Sequence, residues 1–311
     1  MTDRELFFRI LDGEVPPRFP SASAVQLTMT PGEHSDDPVA GEDWFGVRWE
    51  RQSDGTQMFD SNKKRIPSME HWREVMPTIR EDVFRSWGEK TAAGYDRENK
   101  VQVVIVQSGH FERMQTLVGF EDALTAFYEY PDETMDFFNA LTDYKIEVFR
   151  LVAKYCAPDI VSPHDDWGMN RNMFFPPDVW REFIKPQLKR LVDETHALGM
   201  RYEQHTCGII APIFGDMVEC GVDLAEIQGI NDLKYIKDNF GDKIVLRGCM
   251  NGQVLGAPGI TPEQARAEVR RTLEIVARGG HYVAPGIWGT SPEVMAAIRE
   301  EYDRFAQEYY A

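Results

Sequence analysis

The stretch Tyr202–Gly208, YEQHTCG, sets a histidine and a cysteine two residues apart in a chain with 7 histidines and 4 cysteines. On a strand, successive side chains alternate faces, so Glu203, His205 and Cys207 point the same way. Imidazole and thiolate are both good zinc donors. The plainer alternative is a polar strand end carrying a small, buried thiol. Two donors do not make a site, since catalytic zinc keeps three protein ligands and one open position. Cys249, in RGCMN, is the natural third donor, and Glu226, in AEIQGIND, offers a carboxylate from the segment between. Cys156 and Cys220 fall in helical stretches and read as structural.

A second dense cluster is HDDWG, His164–Gly168. Of its adjacent carboxylates, one of Asp165 and Asp166 binds substrate or works as an acid or base, while the other caps a helix or holds a loop. The plainer alternative is that both are solvated loop acids. Trp167, Met169, Phe174 and Phe175 follow, and an aromatic, Met-rich loop suits an apolar or aromatic ligand unless those side chains are core. His110 and Glu112, in SGHFERM, can supply a proton or bind a polar substituent. Gln228, Asn231 and Asn251 are amides for which capping or loop hydrogen bonding is the default, and PGIWG sets Trp288 beside them without adding a ligand.

These residues need elements to bring them together. From residue 101 strand-like and helical segments alternate strictly: VQVVIVQ, PDIVSP, MRYEQH, VDLAEIQ, DKIVLRG and HYVAP are each followed by a helical pattern. Such alternation means a parallel sheet covered by helices. A doubly wound sheet would carry a Gly-rich phosphate loop after an early strand, and none is present. Six units plus strand candidates earlier in the chain predict a (β/α)8 TIM barrel, a single domain over 1–311 with an irregular region over 1–100. In that region ELFFRILDG reads as a short helix, FGVRWE as a strand, TPGEHSDDPVAGED as loop and EHWREVMPTIREDVFRSWGEK as one long helix. PPDVWREFIKPQLKRLVDETHALG reads as another. A parallel barrel carries its chemistry at the carboxyl ends of its strands, which is where the polar clusters fall.

Composition narrows the partners. A net charge of −17, from 51 acidic and 34 basic residues, disfavours nucleic acid and anionic membrane. No window approaches twenty continuous apolar residues, and MTDRELFFRILDG is too charged for a signal peptide. The 4 cysteines read as reduced thiols, and the expected location is the cytoplasm.

The run from SGHFERMQTLVGFEDAL through HDDWG, PPDVWREFIKPQLK, HALGMRYEQHTCG, GVDLAEIQGIND and FGDKIVLRGCMNG resembles the uroporphyrinogen decarboxylase superfamily, from about Gln107 onward. RELFFRILDGEVPPRFP is similar to that family's opening segment, but the decarboxylase's own MRQAGR-like run has no counterpart. The closer resemblance is to the cobalamin-dependent methyltransferase branch, whose zinc site carries a His-x-Cys motif matched by His205 and Cys207. It implies the barrel, zinc, a corrinoid protein as partner, and methyl transfer between a substrate heteroatom and cobalt.

Many thiol-directed relatives place their last cysteine ligand on the final strand, where this chain has YVAPGIWG. Relatives that demethylate aromatic methyl ethers use other sets, including a carboxylate with two separated cysteines. Cys207 and Cys249 with Glu226, or behind it Asp166 or Asp178, resemble that arrangement and put His205 in question as a ligand. The function implied is transfer of a methyl group from a methoxylated, aromatic substrate to the cob(I)amide of a corrinoid protein, the demethylating half of an O-demethylase. In that reading the ring lies against Trp167 and the Met- and Phe-rich loop, with His110, Asp165 and Asp166 as candidate acids. The rivals are a metal-free decarboxylase-like lyase on a polycarboxylate and a non-catalytic corrinoid- or metal-binding scaffold. Against the lyase, the strand ends show no cluster of arginines to receive several carboxylates.

Overall fold

A computed structural model describes residues 1–33, 41–51, 57–60, 63–283 and 291–309. Its strands are β1 (Val25–Met29), β2 (Trp49–Arg51), β3 (Gln57–Phe59), β4 (Val101–Val106), β5 (Ile160–Pro163), β6 (Arg201–Thr206), β7 (Leu224–Ile227), β8 (Val245–Gly248) and β9 (Tyr282–Val283). The helices are α1 (Asp3–Leu11), α2 (Glu81–Ala93), α3 (His110–Val118), α4 (Phe120–Glu129), α5 (Pro131–Tyr155), α6 (Pro177–Phe183), α7 (Lys185–Ala197), α8 (Phe214–Cys220), α9 (Leu233–Phe240), α10 (Gly252–Leu255), α11 (Pro262–Val276) and α12 (Pro292–Tyr309).

Among the described residues seven strands form one sheet in the order β1-β4-β5-β6-β7-β8-β9, every neighbouring pair parallel. Strands in chain order joined by helices give a TIM-barrel-type α/β fold. The β-branched run of β4 is buried at every position, as a parallel strand covered on both faces requires. Helices pack side by side around it, α5 on α7, α7 on α8, and α11 on α12. The six strands expected from residue 101 onward are all present. No helix among the described residues is long and apolar enough to cross a membrane.

Three expectations are corrected. The long helix over 70–90 is a single 3-10 turn, Met69–Glu74, followed by α2, because Pro77 in the linker offers no N–H and drives the residue before it out of helical geometry. The helix over 176–199 divides into α6 and α7 at Ile184, just ahead of Pro186. FGVRWE contributes only its end to β2, which pairs antiparallel with β3 outside the main sheet. The seventh strand of that sheet is β1, which the sequence did not announce.

The irregular amino-terminal region is tied to the barrel by buried charge. Arg113 of α3 reaches Asp43 at 2.6 Å and Glu33 at 2.9 Å, with its guanidinium 4.0 Å over the Phe45 ring. Lys145 of α5 meets the other oxygen of Glu33 at 3.3 Å and donates to the Gln107 carbonyl at 3.0 Å. All four charged side chains are buried.

Candidate metal centre

The strand register fixes the site. His205 on β6 lies beside Glu226 on β7, and Glu226 beside Arg247 on β8. A single bridge joins His164, just past β5, to His205, and their rings stack at 4.1 Å. The two turns beyond these strands are then laced together. Asp165 N–H donates to the His205 carbonyl (3.2 Å), Trp167 N–H to Thr206 Oγ1 (3.3 Å), and Ile209 N–H to the Met169 carbonyl (3.0 Å). The approach is so close that a Cβ on Gly208 would lie 1.9 Å from the Gly168 carbonyl carbon, and Gly208 has φ +83°. Only glycine fits there.

That lacing brings Asp166 over Cys207, whose N–H donates to Asp166 Oδ1 at 2.6 Å. His205 Nε2 stands 3.5 Å from Cys207 Sγ and 3.9 Å from Asp166 Oδ1. Ligand atoms of Asp166, His205 and Cys207 all lie within 4.8 Å of one another, as do those of His164, His205 and Glu226. The Asp166 and His205 side chains keep 30% and 20% of their exposure, so the first group is open to a solute. Carboxylate oxygen, imidazole nitrogen and thiolate sulfur are a donor mixture suited to zinc. His205 also has the second contact that ligating histidines usually make, Nδ1 to Glu226 Oε2 at 2.9 Å.

Charge at the site follows from these contacts. Burial works against a charged His205, but Cys207, Glu226 and Asp166 outweigh it and lift its pKa well above the usual value. Burial would raise Glu226, yet the Arg247 guanidinium, then His205, hold it below the ordinary carboxylate range. Burial lifts the Cys207 thiol. Glu112 on the first turn of α3 is pushed well up, first by burial and then by the Asp166 and Asp165 carboxylates.

Several residues singled out in the sequence are engaged elsewhere. Asp165 is spent on structure: it accepts the N–H groups of His110 (3.0 Å), Phe111 (3.3 Å) and Glu112 (3.0 Å) and the Trp167 indole N–H (2.8 Å). It thereby caps α3 from the turn after β5, and burial raises its pKa to about 6. His110 turns into the helical layer, Nε2 on Thr142 Oγ1 at 2.8 Å and ring against Phe138, where burial drives its pKa down to about 3. Trp167 is buried against Trp180 and offers no open face to a ligand. Phe174 and Phe175 pack on Phe111. Met169, by contrast, is exposed.

The amides are holding loops: Gln228 accepts from Gly208 N–H, Asn231 clamps Gly208, Ile210 and Ala211, and Asn251 caps α10. Asp178 pairs with Arg181 at the surface. Trp288 and Ile287 lie outside the described residues.

Cys249 belongs to neither of the two donor groups. Had β8 continued, Cys249 would share the face of Arg247; instead β8 ends at Gly248, and Gly248 and Cys249 take φ of 71° and 61°. This left-handed turn folds the thiol back onto the Arg247 carbonyl at 3.5 Å, fully buried and with its pKa raised by that burial. Glu226 sits on the far nitrogen of His205, in the second grouping with His164. Asp166 is the carboxylate beside His205 and Cys207, a choice that strand alternation between two neighbouring aspartates does not make.

Comparisons with known proteins agree with the fold. A uroporphyrinogen decarboxylase (URO-D) family model matches residues 90–305, more than half of the chain. The chain is 25% identical over 191 residues to the methylcobamide:CoM methyltransferase MtaA of Methanosarcina barkeri, covering 59% of this chain and 49% of that protein. It thus spans about half the length of that relative. A solved methyltransferase from Methanosarcina mazei superposes over 100% of both chains with TM-score 0.72 at 18% identity, a likeness of fold.

Proposed function

From the premise that the chain belongs to the uroporphyrinogen decarboxylase family, we propose that it is a zinc-dependent methyltransferase acting between a small methylated substrate and a corrinoid protein. The observation that carries this reading is the convergence of Asp166, His205 and Cys207 within 4.8 Å at the carboxyl ends of β5 and β6. These three side chains would hold the metal, leaving a position for substrate. Bound zinc supplies Lewis acidity at the heteroatom that carries the methyl group.

The chain's own residues do the rest. Glu226 orients His205, the Asp166–Cys207 contact keeps both donors on one side of the mouth, and Met169 gives an apolar rim for a substrate ring. Glu112, whose carboxyl pKa is pushed well up by burial and by the neighbouring Asp166 and Asp165, is the acid assigned to the departing oxygen in place of His110 and Asp165. The substrate class is a methoxylated aromatic, the methyl acceptor a partner corrinoid protein, and the location the cytoplasm. A second reading takes its support from the relative at 25% identity, whose printed name carries CoM: methyl transfer from a methylcobamide to a thiol.

Elemental analysis of the purified protein tests the metal. Near-stoichiometric zinc is expected, lost in Cys207→Ala and Asp166→Ala and kept in Cys249→Ala. Zinc lost in Cys249→Ala would restore the two-cysteine set. A folded, zinc-supplemented wild type without metal would sink the reading and promote the lyase. Assays of methoxy-aromatic-dependent methylation of cob(I)alamin, beside thiol-dependent demethylation of methylcobalamin, separate the two methyl-transfer readings.

A further inference from the structure

Beneath the mouth runs a row of charge inside the barrel. Because His205, Glu226 and Arg247 are register partners on β6, β7 and β8, their side chains lie side by side across the sheet. Glu226 Oε2 meets His205 Nδ1 at 2.9 Å, while its Oε1 faces Arg247 Nη2 at 3.5 Å. Arg247 is held in turn, since Nη1 donates to Glu203 Oε1, which also accepts from Ser162 Oγ at 2.6 Å. Glu203, Arg247 and Glu226 are all buried, so their geometry is set by one another rather than by solvent.

We propose that Arg247 is a positioning residue for the metal site: it fixes one oxygen of Glu226 so that the other faces His205 Nδ1, which turns His205 Nε2 toward Asp166 and Cys207. This rests on the metal-site reading above. The physical logic is a hydrogen-bond direction. An imidazole that donates from Nδ1 presents Nε2 as the lone-pair nitrogen. The donation needs an acceptor that cannot swing away. Glu226 alone has rotatable bonds; Glu226 tied to Arg247, itself tied to Glu203 and Ser162, does not move freely. The stacked His164 ring restrains the same imidazole in its plane.

The test is metal affinity, read by competition with a chromophoric chelator, together with the visible bands of the cobalt(II)-substituted protein. Wild type, Glu226→Gln, Arg247→Lys, Arg247→Met and the pair Glu203→Gln/Arg247→Met are compared. The double variant removes one positive and one negative charge, so the lumen keeps its net charge if Arg247→Met alone does not fold. Expected are zinc affinities weaker by about 10–100-fold in Glu226→Gln, in Arg247→Met and in the double variant, with altered cobalt bands. Arg247→Lys, which keeps the charge, recovers part of the loss. Native affinity and bands in folded Arg247 variants, with Glu226→Gln still impaired, would overturn the role of Arg247 and leave the metal site standing. A wild type that binds no zinc would instead overturn the metal reading itself.

Discussion

Gly208→Ala changes no candidate ligand and should nevertheless damage the site. Two costs are distinguishable. The first is conformational: Gly208 has φ +83°, and a residue with a Cβ in that region costs about 1–2 kcal/mol. The second is steric. The new Cβ would lie 1.9 Å from the Gly168 carbonyl carbon, which is backbone and cannot rotate away. Ordinary contact begins near 3.4 Å, so the turns carrying Asp166 and Cys207 must separate by about 1.5 Å. The Cys207 N–H to Asp166 contact, now 2.6 Å, then leaves hydrogen-bonding range.

A lost hydrogen bond to a charged group adds about 1.5–3 kcal/mol, for a total of about 2.5–5 kcal/mol. Gly199 supplies the control, since it has φ +77° but nothing within 4 Å of an added Cβ. Gly199→Ala should cost only the conformational share and leave zinc affinity unchanged. Urea denaturation midpoints and chelator competition on both variants decide the matter. Equal midpoints and equal zinc affinities in the two would refute the idea that the Gly168–Gly208 contact holds the donors together.

Two other predictions concern the frame. Arg113→Met leaves buried Glu33 and Asp43 without their guanidinium and should cost about 3–5 kcal/mol, seen as a lowered denaturation midpoint; a loss under 1 kcal/mol would mean the cluster is not anchoring the amino-terminal region. His110, with its pKa pushed from 6.5 to about 3, stays neutral in the folded protein while the unfolded chain takes up a proton below pH 6.5. Its contribution therefore vanishes above that pH and lowers stability by up to about 1.4 kcal/mol per unit as pH falls toward 3. His110→Gln should flatten the dependence of the urea midpoint between pH 6.5 and 4.5, and parallel curves for the two proteins would refute this.

What the sequence displayed, and what it hid, divides along local against non-local causes. Runs such as VQVVIV and the alternation after residue 101 are local, and the strands they announce are present. The Pro77 break is local too: the residue that divides the segment into Met69–Glu74 and α2 stands in the sequence itself. Helix α3 was concealed for a different reason. Its start at His110 has no side-chain cap from its own N-cap residue, Gly109; the acceptor is Asp165, in the turn after β5. The same fact removes Asp165 from the list of acids. His205 and Cys207 could be paired by continuing the β6 alternation one residue past Thr206, but Asp166 joins them only through contacts between two turns. Cys249 falls in neither donor group, because Gly248 and Cys249 take positive φ and turn the thiol back onto the Arg247 carbonyl, a local backbone choice that strand alternation does not display.

The interior charges raise a question that stability alone does not answer. Burying Glu203, Arg247 and Glu226 strips three ions of water, and their mutual attraction repays that poorly; an apolar row of similar volume would hold a barrel together as well or better. The Glu33–Asp43–Arg113–Lys145 cluster meets the same objection, yet it has a positional purpose, because it fixes an irregular segment with few regular contacts of its own. The lumen row has no loose segment to fix. Its members stand on β6, β7 and β8, already in register through backbone pairing. What the row does fix is one imidazole, and within it one nitrogen, pointed at the carboxylate and thiol beside it. A charge row that contributes little to folding but sets the direction of a donor atom belongs to the chemistry of the mouth, and this is why changes three strands from Asp166 should register in the affinity for metal.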